Sequence, residues 1–385
     1  MKTFDSCFRV FFLCSSLEHG QDGVGDYTSR LLLELLALGH SCQCVAINDL
    51  HLSGSSDHSC PQKNQFRLPA HMSWRERIHF VQNAISEFNP DLVSLQYVPH
   101  AYSPKGLPLL LPYRLASIHG NFRWHVMFHE LWLESNGFYR TILSFAQRLL
   151  LSTLCRKLAP VGVHTSNQNY AEKLASVGVP ALVLPVFSNI DLASPNNRIR
   201  THLLKKFNLE LNSDSVWIFV FFGSIHPGWD YDCFIERVSK ASSLAKKVAV
   251  IFLSIGKNQG AGAEIWKSMQ ASPSQIIRFL HIGELSANDV SQYLQTADFG
   301  IATTPFSLLG KSGSAAAYAS HGLPTIVPRM DVAEHQESPD FNRIIQLDKF
   351  FEQNLINPPK PRKRNSSRQT AEYFLEHIES YIKKQ

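Results

Sequence analysis

The residues best suited to bind a charged ligand lie in one short segment, Gly310-Lys311-Ser312-Gly313-Ser314. An apolar run at 299–302 precedes it and an alanine-rich run at 315–319 follows it, which predicts a strand before the segment and a helix after it. Backbone N–H groups at a helix N-terminus attract anions, and Lys311 adds a full positive charge. The pattern favours phosphate binding over a plain turn with a solvated lysine. It is not a Walker A loop, because Pro305 stands where the first glycine would be.

A second glycine-rich segment, Gly20-Gln21-Asp22-Gly23-Val24-Gly25, follows the first apolar run of the chain, at 8–14. Glycines at such a turn allow a ligand, or another part of the chain, to approach the backbone closely. Alone, the pattern predicts a structural turn as readily as a phosphate contact. A dinucleotide site would also need an acidic residue at the end of the next strand. Asn48-Asp49 keep that alternative open, although no complete Gly-x-Gly-x-x-Gly is present.

A histidine is expected at the end of another strand, because His129 and Glu130 follow the apolar run at 124–128. At the carboxyl end of a strand, a histidine can hydrogen-bond a substrate hydroxyl. The alternative is a structural histidine at the rim of the cleft whose hydrogen bonds are all made within the protein. His119 and His125 are near in sequence, but His125 and His129 are too far apart along an extended strand to chelate a metal easily. We therefore expect no metal ligands here.

Two further charged motifs have simpler structural explanations. Asp230-Tyr231-Asp232 matches the Asp-x-Asp pattern of metal-dependent transferases, but it lies where a helix is expected to begin, so helix capping accounts for it. The basic run at 360–364 is short, and we interpret it as a solvated linker. The formal net charge of +5 and the pI near 8.7 are only mildly basic, so we expect no nucleic-acid partner.

Composition limits the class of protein. A chain of 385 residues that is 44% hydrophobic is too long for one ordinary core, so two domains are expected. The seven cysteines are an odd number scattered through apolar segments, which indicates free thiols and a cytoplasmic location. No stretch of roughly 18 uncharged apolar residues is present, so no transmembrane helix is expected. Arg9 interrupts the first apolar run, which we interpret as a strand and not as a signal peptide.

Strand-like and helix-like patterns alternate along the chain. Strands are predicted at 8–14, 42–47, 92–97, 124–128, 161–165, 181–185, 216–222, 248–255, 276–280, 299–302 and 325–327. Helices are predicted at 26–39, with Asp26 as N-cap, and at 74–88, 137–158, 169–177, 230–245, 286–296, 314–320 and 370–384. Loops are predicted at 51–65 and 256–262. The alternation predicts an α/β fold of two doubly wound Rossmann-like domains, with ligands at the carboxyl ends of parallel strands, in the cleft between the domains.

Segments over nearly the whole chain resemble the retaining nucleotide-sugar glycosyltransferases of the GT-B fold, the group that includes glycogen and sucrose synthases. The most specific similarity joins Ala297-Asp298-Phe299-Gly300-Ile301 to Ala319-Ser320-His321-Gly322-Leu323-Pro324-Thr325-Ile326-Val327. The other similar segments are Gly23-Val24-Gly25-Asp26-Tyr27, Met127-Phe128-His129-Glu130-Leu131-Trp132, Val163-His164-Thr165-Ser166 and Phe222-Gly223-Ser224-Ile225-His226-Pro227.

The resemblance implies two Rossmann-like domains that face each other across a cleft. An acceptor domain would span 1–187, with a C-terminal helix at 370–385 that crosses back to it, and a nucleotide-sugar donor domain would span 188–369. The residues expected at the donor and its phosphates are Gly23, Gly25, Gly223, Ser224, Gly310, Ser312, Gly313 and Ser314. Gln96 and Tyr97, at another strand end, are expected on the acceptor side.

Four usual donor contacts of the family are replaced in this chain. The family carries an arginine after the domain-two glycine, a lysine six residues after that glycine, and two glutamates eight apart before Gly-x-Pro. The corresponding residues here are Ser224, Trp229, Leu309 and Ala317. Lys311, Ser312 and Ser314 offer a local substitute for phosphate binding. Altered donor choice and lost activity both stay open.

The sequence thus predicts transfer of a sugar, with retention, from a nucleoside diphosphate sugar to a glycan or lipid-linked acceptor, without a metal or other cofactor. Lys311 would stabilise the leaving diphosphate and His129 would orient the sugar. The alternatives are a degenerate transferase that binds without turnover and another two-Rossmann enzyme, such as an epimerase or a dinucleotide-dependent oxidoreductase. A basic face near Arg140–Lys157 predicts peripheral contact with the inner membrane surface.

Overall fold

The computed structural model describes residues 7–20, 22–52, 64–133, 137–209, 215–272, 274, 276–329, 344–346 and 367–383. The chain forms two compact units. Unit 1 comprises Met1–Pro185 with Ser367–Gln385, and unit 2 comprises Val186–Ser366. The basic run at 360–364 and most of the predicted loop at 51–65 lie outside the described residues.

Each unit contains one parallel sheet. The strands of unit 1 are β1 (Arg9–Cys14), β2 (Ser41–Asp49), β3 (Gln65–Pro69), β4 (Leu92–Tyr97), β5 (Arg123–Phe128), β6 (Gly162–Thr165) and β7 (Leu182–Val183). The strands of unit 2 are β8 (Val216–Phe222), β9 (Ala249–Ile255), β10 (Ile277–Gly283), β11 (Phe299–Ile301), β12 (Thr325–Val327) and β13 (Ile344–Gln346). The orders are β3-β2-β1-β4-β5-β6-β7 and β10-β9-β8-β11-β12-β13. Both are doubly wound Rossmann orders, so the predicted fold class of the two domains is confirmed.

Helices connect the strands in both units. In the first segment of unit 1, Met1–Pro185, the helices are α1 (Gly23–Ala37), α2 (Trp74–Phe88), α3 (Leu111–Ala116), α4 (Phe138–Leu158) and α5 (Gln168–Ala175). Those of unit 2 are α6 (Arg198–Lys206), α7 (Tyr231–Leu244), α8 (Ala261–Ala271), α9 (Ala287–Thr296) and α10 (Gly313–Ser320). The last helix, α11 (Ser367–Lys383), belongs to unit 1.

The sheet of unit 2 is buried on both faces, as expected for parallel strands covered by helices. Along β8, Phe219 and Phe221 belong to an aromatic-rich cluster on one face, while Ile218 and Val220 belong to a second, aliphatic cluster. This alternation follows from the two-residue repeat of a strand. The core therefore holds the carboxyl ends of these strands in fixed positions.

The predicted start of α1 at Asp26 is wrong, because the helix begins at Gly23 with Asp22 as its N-cap. The Asp22 carboxylate accepts hydrogen bonds from the backbone N–H groups of Val24 and Gly25. Asp26 lies in the first turn, where its carboxylate accepts from the backbone N–H of Gly20. Because glycines are poor helix formers, the sequence did not indicate that the helix begins at Gly23, where the Asp22 cap stabilises it.

Short elements account for the other differences from prediction. The strands β3 and β13 and the helices α3, α6 and α8 had not been predicted, and α8 begins at Ala261, inside the predicted loop at 256–262. The last helix begins at Ser367, three residues before the predicted start. Short elements contain too few apolar residues to show a clear helical or strand-like repeat, so their formation depends on packing against the rest of the fold.

Helix α11 packs within unit 1. The rings of Phe12 on β1 and Phe374 on α11 are 6.3 Å apart, and Thr370 donates to the carbonyl of Pro185 at 3.3 Å. A Cβ added to Gly162 would lie 2.5 Å from the ring of Tyr381, so β6 needs a glycine where the helix crosses it. These contacts join the end of the chain to the first sheet.

The six described cysteines are free, which confirms the predicted thiols for all but Cys60, a residue outside the described part. Cys42 and Cys44, two residues apart on β2, are both buried. Among the described residues, no helix has the length and apolar character needed to cross a membrane.

Candidate functional site

Three chain segments meet where β8, β11 and β12 end in unit 2. The backbone N–H of His226, after β8, donates to the hydroxyl of Thr303, after β11, at 2.8 Å. The guanidinium of Arg329, after β12, donates to the carbonyl of Pro227 at 3.0 Å. The N–H of Phe306 donates to the carbonyl of Arg329 at 3.0 Å. The carboxyl edge of the sheet is therefore one hydrogen-bonded surface.

This edge carries concentrated positive charge. Burial lowers the pKa of His226, and the nearby cations Lys311 and Arg329 lower it further. The imidazole of His226 is consequently neutral at pH 7, and the two cations provide the charge. Two cations around one strand end make a favourable position for an anion.

The predicted phosphate-binding segment has a different shape from the one expected. Residues Phe306–Lys311 form a 3₁₀ helix that includes Gly310, and Ser312 is the N-cap of α10. The Ser312 hydroxyl accepts from the backbone N–H of Ala315 at 3.3 Å, so it is engaged in capping. The segment 310–314, which was expected to connect a strand to a helix, thus contains the end of a 3₁₀ helix and the start of α10.

The N-terminus of α10 still offers donors. The first N–H groups of a helix lack intrahelical partners. In α10 the N–H groups of Ala315 and Ala316 are satisfied by Ser312, which leaves those of Gly313 and Ser314 at the exposed end. A Cβ added to Gly313 would meet nothing within 4 Å, so a ligand can approach this turn.

Gly223 allows the end of β8 to lie against α10. Its φ is +82°, which favours glycine, and an added Cβ would lie 2.9 Å from the Ser314 hydroxyl oxygen. Ser224, the next residue, is exposed. The structure therefore brings Gly223 and Ser314 together at the N-terminus of α10.

Tyr318 fixes α10 to the sheet. Its buried hydroxyl accepts from the N–H of Phe222 at 2.8 Å and lies 3.1 Å from the carbonyl of Val220 and 3.3 Å from that of Ile301. Gly300 on β11 makes room for the ring, because an added Cβ would lie 2.7 Å from it. One side chain thus ties α10 to the carboxyl ends of β8 and β11.

Replacing Tyr318 by phenylalanine should destabilise unit 2 and loosen α10. The N–H of Phe222 would lose its acceptor, at a cost of about 1–3 kcal/mol, or about 3–10 °C in Tm. Tyr293→Phe is the control, because none of the described residues hydrogen-bonds the Tyr293 hydroxyl. Differential scanning calorimetry of both variants measures the effect. Equal Tm values for the two variants would contradict this role of Tyr318.

Three of the four replaced family contacts are core residues. Trp229, Leu309 and Ala317 are all buried in the clusters that flank the sheet of unit 2. Leu309 and Ala317, at 1% and 0% exposure, cannot contact a ligand without opening the core, and Trp229 packs in the aromatic-rich cluster at 9% exposure. Sequence reasoning missed Arg329, whose signal was a lone cation two residues after the predicted strand at 325–327.

In unit 1, His129 lies directly after β5 and is 7% exposed. Its Nε2 is 2.9 Å from Oε1 of Gln96, and its ring packs edge-on against Tyr27 with centroids 5.0 Å apart. Burial lowers the pKa of His129 to about 3. The imidazole is therefore neutral over the physiological range and can only exchange hydrogen bonds.

Gln96 and Tyr97, which were expected on the acceptor side, are both buried. Gln96 is 1% exposed and uses both ends of its amide, one toward His129 and one toward Ser94. Tyr97 is buried beside Phe128, with ring centroids 5.4 Å apart. Side chains alternate along a strand, so both can be enclosed when helices cover both faces. We assign Gln96 to positioning His129, and Tyr97 to packing.

The first glycine segment is explained mainly by packing. A Cβ added to Gly25 would lie 2.5 Å from the carbonyl oxygen of Ser16, so α1 needs glycine at this contact. Its N–H is already bound to Asp22, which is incompatible with the predicted phosphate contact of Gly25. An added Cβ at Gly23 meets nothing within 4 Å, so only Gly23 leaves space for a ligand.

The acidic end of β2 is not available to a dinucleotide. The buried Asp49 carboxylate pairs with Arg67 at 2.7 Å and accepts the N–H of Leu17. Burial alone would raise the pKa of Asp49, but these hydrogen bonds lower it overall. Asn48 accepts from Arg77 at 2.5 Å. This edge is thus an internal ion-pair network, unlike the ribose-binding carboxylate of dinucleotide enzymes.

The Asp-x-Asp motif caps a helix, as predicted. The Asp230 carboxylate accepts from the N–H of Cys233 at 2.9 Å at the start of α7, and Asp232 accepts from the Ser272 hydroxyl at 3.3 Å. Over the described ranges, no group of three or more histidine, cysteine or acidic residues is arranged to hold a metal ion.

Solved structures match nearly the whole chain at low identity. A glycosyltransferase from Rickettsia africae ESF-5 has a TM-score of 0.57 and 12% identity, with 98% of each chain covered. WaaG, a glycosyltransferase involved in lipopolysaccharide biosynthesis, has a TM-score of 0.54 and 13% identity over 95% of each chain. A UDP-GlcNAc 2-epimerase from Methanocaldococcus jannaschii has a TM-score of 0.53 and 11% identity, over 97% of this chain and 99% of the other.

No protein-family model matches the chain, and no curated protein matches its sequence. The structural likeness confirms the predicted fold. Because transferases and an epimerase share it, the fold alone does not choose between these reactions.

Proposed function

We propose that the protein is a glycosyltransferase that uses a nucleoside diphosphate sugar. The observation that carries the proposal is the convergence of Lys311 and Arg329 on one strand end of unit 2, beside the N-terminus of α10. Two cations and two helix N-terminal amides match the charge and the acceptor oxygens of a diphosphate. Arg329 supplies charge that the family's usual arginine and lysine positions lack here.

The proposed chemistry is leaving-group stabilisation. When the bond from the sugar to the diphosphate breaks, negative charge grows on the diphosphate oxygens. Fixed cations and oriented amides at that position lower the barrier without a metal ion. Lys311 is the proposed catalytic cation, and Gly223, Gly313 and Ser314 supply close backbone approach. Retention of the anomeric configuration, a glycan or lipid-linked acceptor and a cytoplasmic location complete the proposal and rest on the sequence resemblance.

His129 would orient the transferred sugar. A neutral imidazole, as its lowered pKa requires, can accept a hydrogen bond from a sugar hydroxyl or donate one, and it does not attract the phosphates. Among the described residues, its ring has a hydrogen-bond partner at Nε2 and none at Nδ1. Nδ1 is therefore the atom proposed to contact the sugar.

Product analysis by NMR tests the proposal and separates it from its alternatives. The protein is incubated with uridine, guanosine, adenosine and thymidine diphosphate sugars, with and without a mixture of glycan and lipid-linked acceptors. Release of the nucleoside diphosphate only with an acceptor, with the anomeric configuration kept in the product, is expected. An isomerised sugar formed without acceptor would indicate an epimerase, and binding without any product would indicate a degenerate transferase.

We also propose that unit 1 contacts an anionic membrane surface through α3 and the first half of α4. Phe138 is 85% and Phe145 68% exposed, and Tyr139, Ile142 and Leu149 are exposed beside them. Basic side chains share these helices, and their cationic ends lie over aromatic rings: Arg148 over Trp132 and Lys157 over Tyr113. Apolar side chains with adjacent cations are typical of helices that lie in the interface of a membrane.

Replacing Phe138 and Phe145 together by serine should reduce binding to vesicles that contain anionic phospholipid by at least about tenfold, because each buried phenylalanine contributes ~1.5–3 kcal/mol. Leu244→Ser in unit 2 is the matched control, since Leu244 is 70% exposed at the end of α7. Co-flotation at low and high salt measures binding. Unchanged flotation of the double variant would remove the proposed contact.

A further inference from the structure

A continuous file of hydrogen-bonded side chains begins at His129 and runs through unit 1. The first link joins Nε2 of His129 to Oε1 of Gln96 at 2.9 Å. The Gln96 amide nitrogen donates to the hydroxyl of Ser94 at 2.8 Å. That hydroxyl lies 2.8 Å from Nδ1 of His125 on the neighbouring strand β5. The file thus passes from the end of β5 into the interior of the sheet.

The file then crosses β6 and reaches the last helix. Nε2 of His125 lies 2.7 Å from Nδ1 of His164, and Nε2 of His164 lies 2.8 Å from Nδ1 of His377 on α11. The rings of His164 and His377 are stacked, with centroids 5.0 Å apart. His377 is half-buried, whereas His125 and His164 are fully enclosed. The outer end of the file therefore lies on the C-terminal helix.

Each neutral imidazole in the file carries one ring proton, on either Nδ1 or Nε2. Burial lowers the pKa of His125 to about 3, and it lowers the pKa of His164 in the same direction. A neutral imidazole has one donor nitrogen and one acceptor nitrogen, so its two bonds must point the same way along the file. Because the Gln96 nitrogen faces Ser94, every donor in the file points from His129 toward His377. The protons therefore lie on Nε2 of His125, His164 and His129.

We infer that this file is a tautomer-setting device, in which His377, His164, His125, Ser94 and Gln96 keep the proton of His129 on Nε2. His129 then presents Nδ1 as a hydrogen-bond acceptor. The consequence for the proposed reaction, on which this step rests, is that Nδ1 accepts a hydrogen bond from a hydroxyl of the transferred sugar. The members of the file are positioning residues, because they act through His129 and do not touch the sugar.

A purely packing role explains these residues less well. Apolar side chains of similar volume would fill the same interior without needing partners, whereas buried polar groups destabilise a fold unless they are hydrogen-bonded. Here every link has a bonding distance of 2.7–2.9 Å. A fully satisfied file has only two states, with all donors in one direction or all in the other. The Gln96 amide, with its nitrogen toward Ser94 and its oxygen toward His129, corresponds to the state in which the donors point toward His377.

Long-range ¹H–¹⁵N NMR of the full chain labelled at histidine nitrogens tests the inference, because it reports which ring nitrogen carries the proton. In the native protein, His129 should be protonated on Nε2. In Ser94→Ala the Gln96 amide loses its acceptor, so His129 should become a mixture of tautomers. Ser94→Thr keeps a hydroxyl and should restore the single tautomer. His377→Phe removes the outer acceptor from a half-buried position and should also yield a mixture.

Ser144→Ala is the matched control, because the hydroxyl of Ser144 is buried in unit 1 and none of the described residues hydrogen-bonds it. Its spectrum should equal that of the native protein. With a turnover assay, Ser94→Ala should lower kcat about tenfold, the worth of one hydrogen bond, with donor affinity unchanged. A proton on Nδ1 of His129, or an unchanged tautomer in both Ser94→Ala and His377→Phe, would overturn the inference. The expected tautomers without any sugar transfer would instead contradict the proposed function alone.

Discussion

Replacing Lys311 and Arg329 together by alanine is expected to weaken nucleoside diphosphate binding by about two orders of magnitude or more. A hydrogen bond to a charged group contributes about 1.5–3 kcal/mol, and the double variant removes two such groups. Each single variant should lose about tenfold or more. The losses should shrink at high salt, since screening weakens the partly exposed charges.

Isothermal titration calorimetry at two salt concentrations measures this loss. Arg329 also donates to the carbonyl of Pro227, so Arg329→Lys is included to keep the charge while changing the geometry. Lys240→Ala, on an exposed position of α7, is the charge-matched control and should bind like the native protein. Native affinity in the double variant would show that the diphosphate does not bind at this strand end.

Replacing His129 by alanine is expected to lower kcat for sugar transfer by about a hundredfold or more, while the affinity for the free nucleoside diphosphate changes little. The physical reason is that His129 would hold the sugar in the reactive orientation, and orientation contributes mainly to the rate. Unit 2 carries the proposed phosphate contacts, so binding and turnover should separate in this variant.

The pH dependence gives a second measure of the role of His129. Burial lowers its pKa to about 3. The neutral form, which the role requires, is therefore present at every pH well above 3. Loss of activity by protonation of this ring should begin only as the pH falls toward 3. A kcat profile that falls with an apparent pKa of about 6.5 and is flat in His129→Ala would contradict a neutral His129. His119→Ala, an exposed histidine of unit 1, is the control.

Local signals made several elements predictable. Helix α2 was predicted at its observed bounds, because Ser73 and Glu76 form a capping box at its start and Asn89 ends it in the left-handed region. Helix α9, predicted at 286–296, begins at Ala287 with Ser286 as its N-cap. In α1, by contrast, the glycines at its start disguised the cap at Asp22. Helix boundaries could therefore be predicted where the capping residues adjoin good helix formers, and not where glycines follow the cap.

The candidate site was only half visible in the sequence. Lys311 lies between glycine, serine and an expected helix start, which is a local pattern. Arg329 and His226 have no such surroundings, and only the return of β12 beside β11 and β8 brings them to the same edge. Which residues become neighbours at the edge of a sheet depends on strand register, and register depends on the packing of segments that are distant in sequence.

The histidine file shows the same limit over a greater distance in sequence. His125, His164 and His377 lie on β5, β6 and α11, and His164 was noted only as part of a resemblance. Without the strand order of unit 1 and the return of α11 they are unrelated residues. Gln96, which was expected on the acceptor side, is buried instead, with one partner on its own strand, Ser94, and one after the neighbouring strand, His129.

Nucleotide recognition is the central claim, and a thermal-shift panel of uridine, guanosine, adenosine and thymidine diphosphates, with NAD and NADP for comparison, tests it most directly. One nucleoside diphosphate at about a hundred times its Kd should stabilise the fold by ~2.7 kcal/mol, and so raise Tm by about 5 °C or more. At the same ligand concentration, the Lys311→Ala, Arg329→Ala double variant should be stabilised by no more than about 0.4 kcal/mol, a Tm shift of about 1–2 °C or less. Stabilisation by NAD or NADP alone, or by none of the six ligands, would contradict the account.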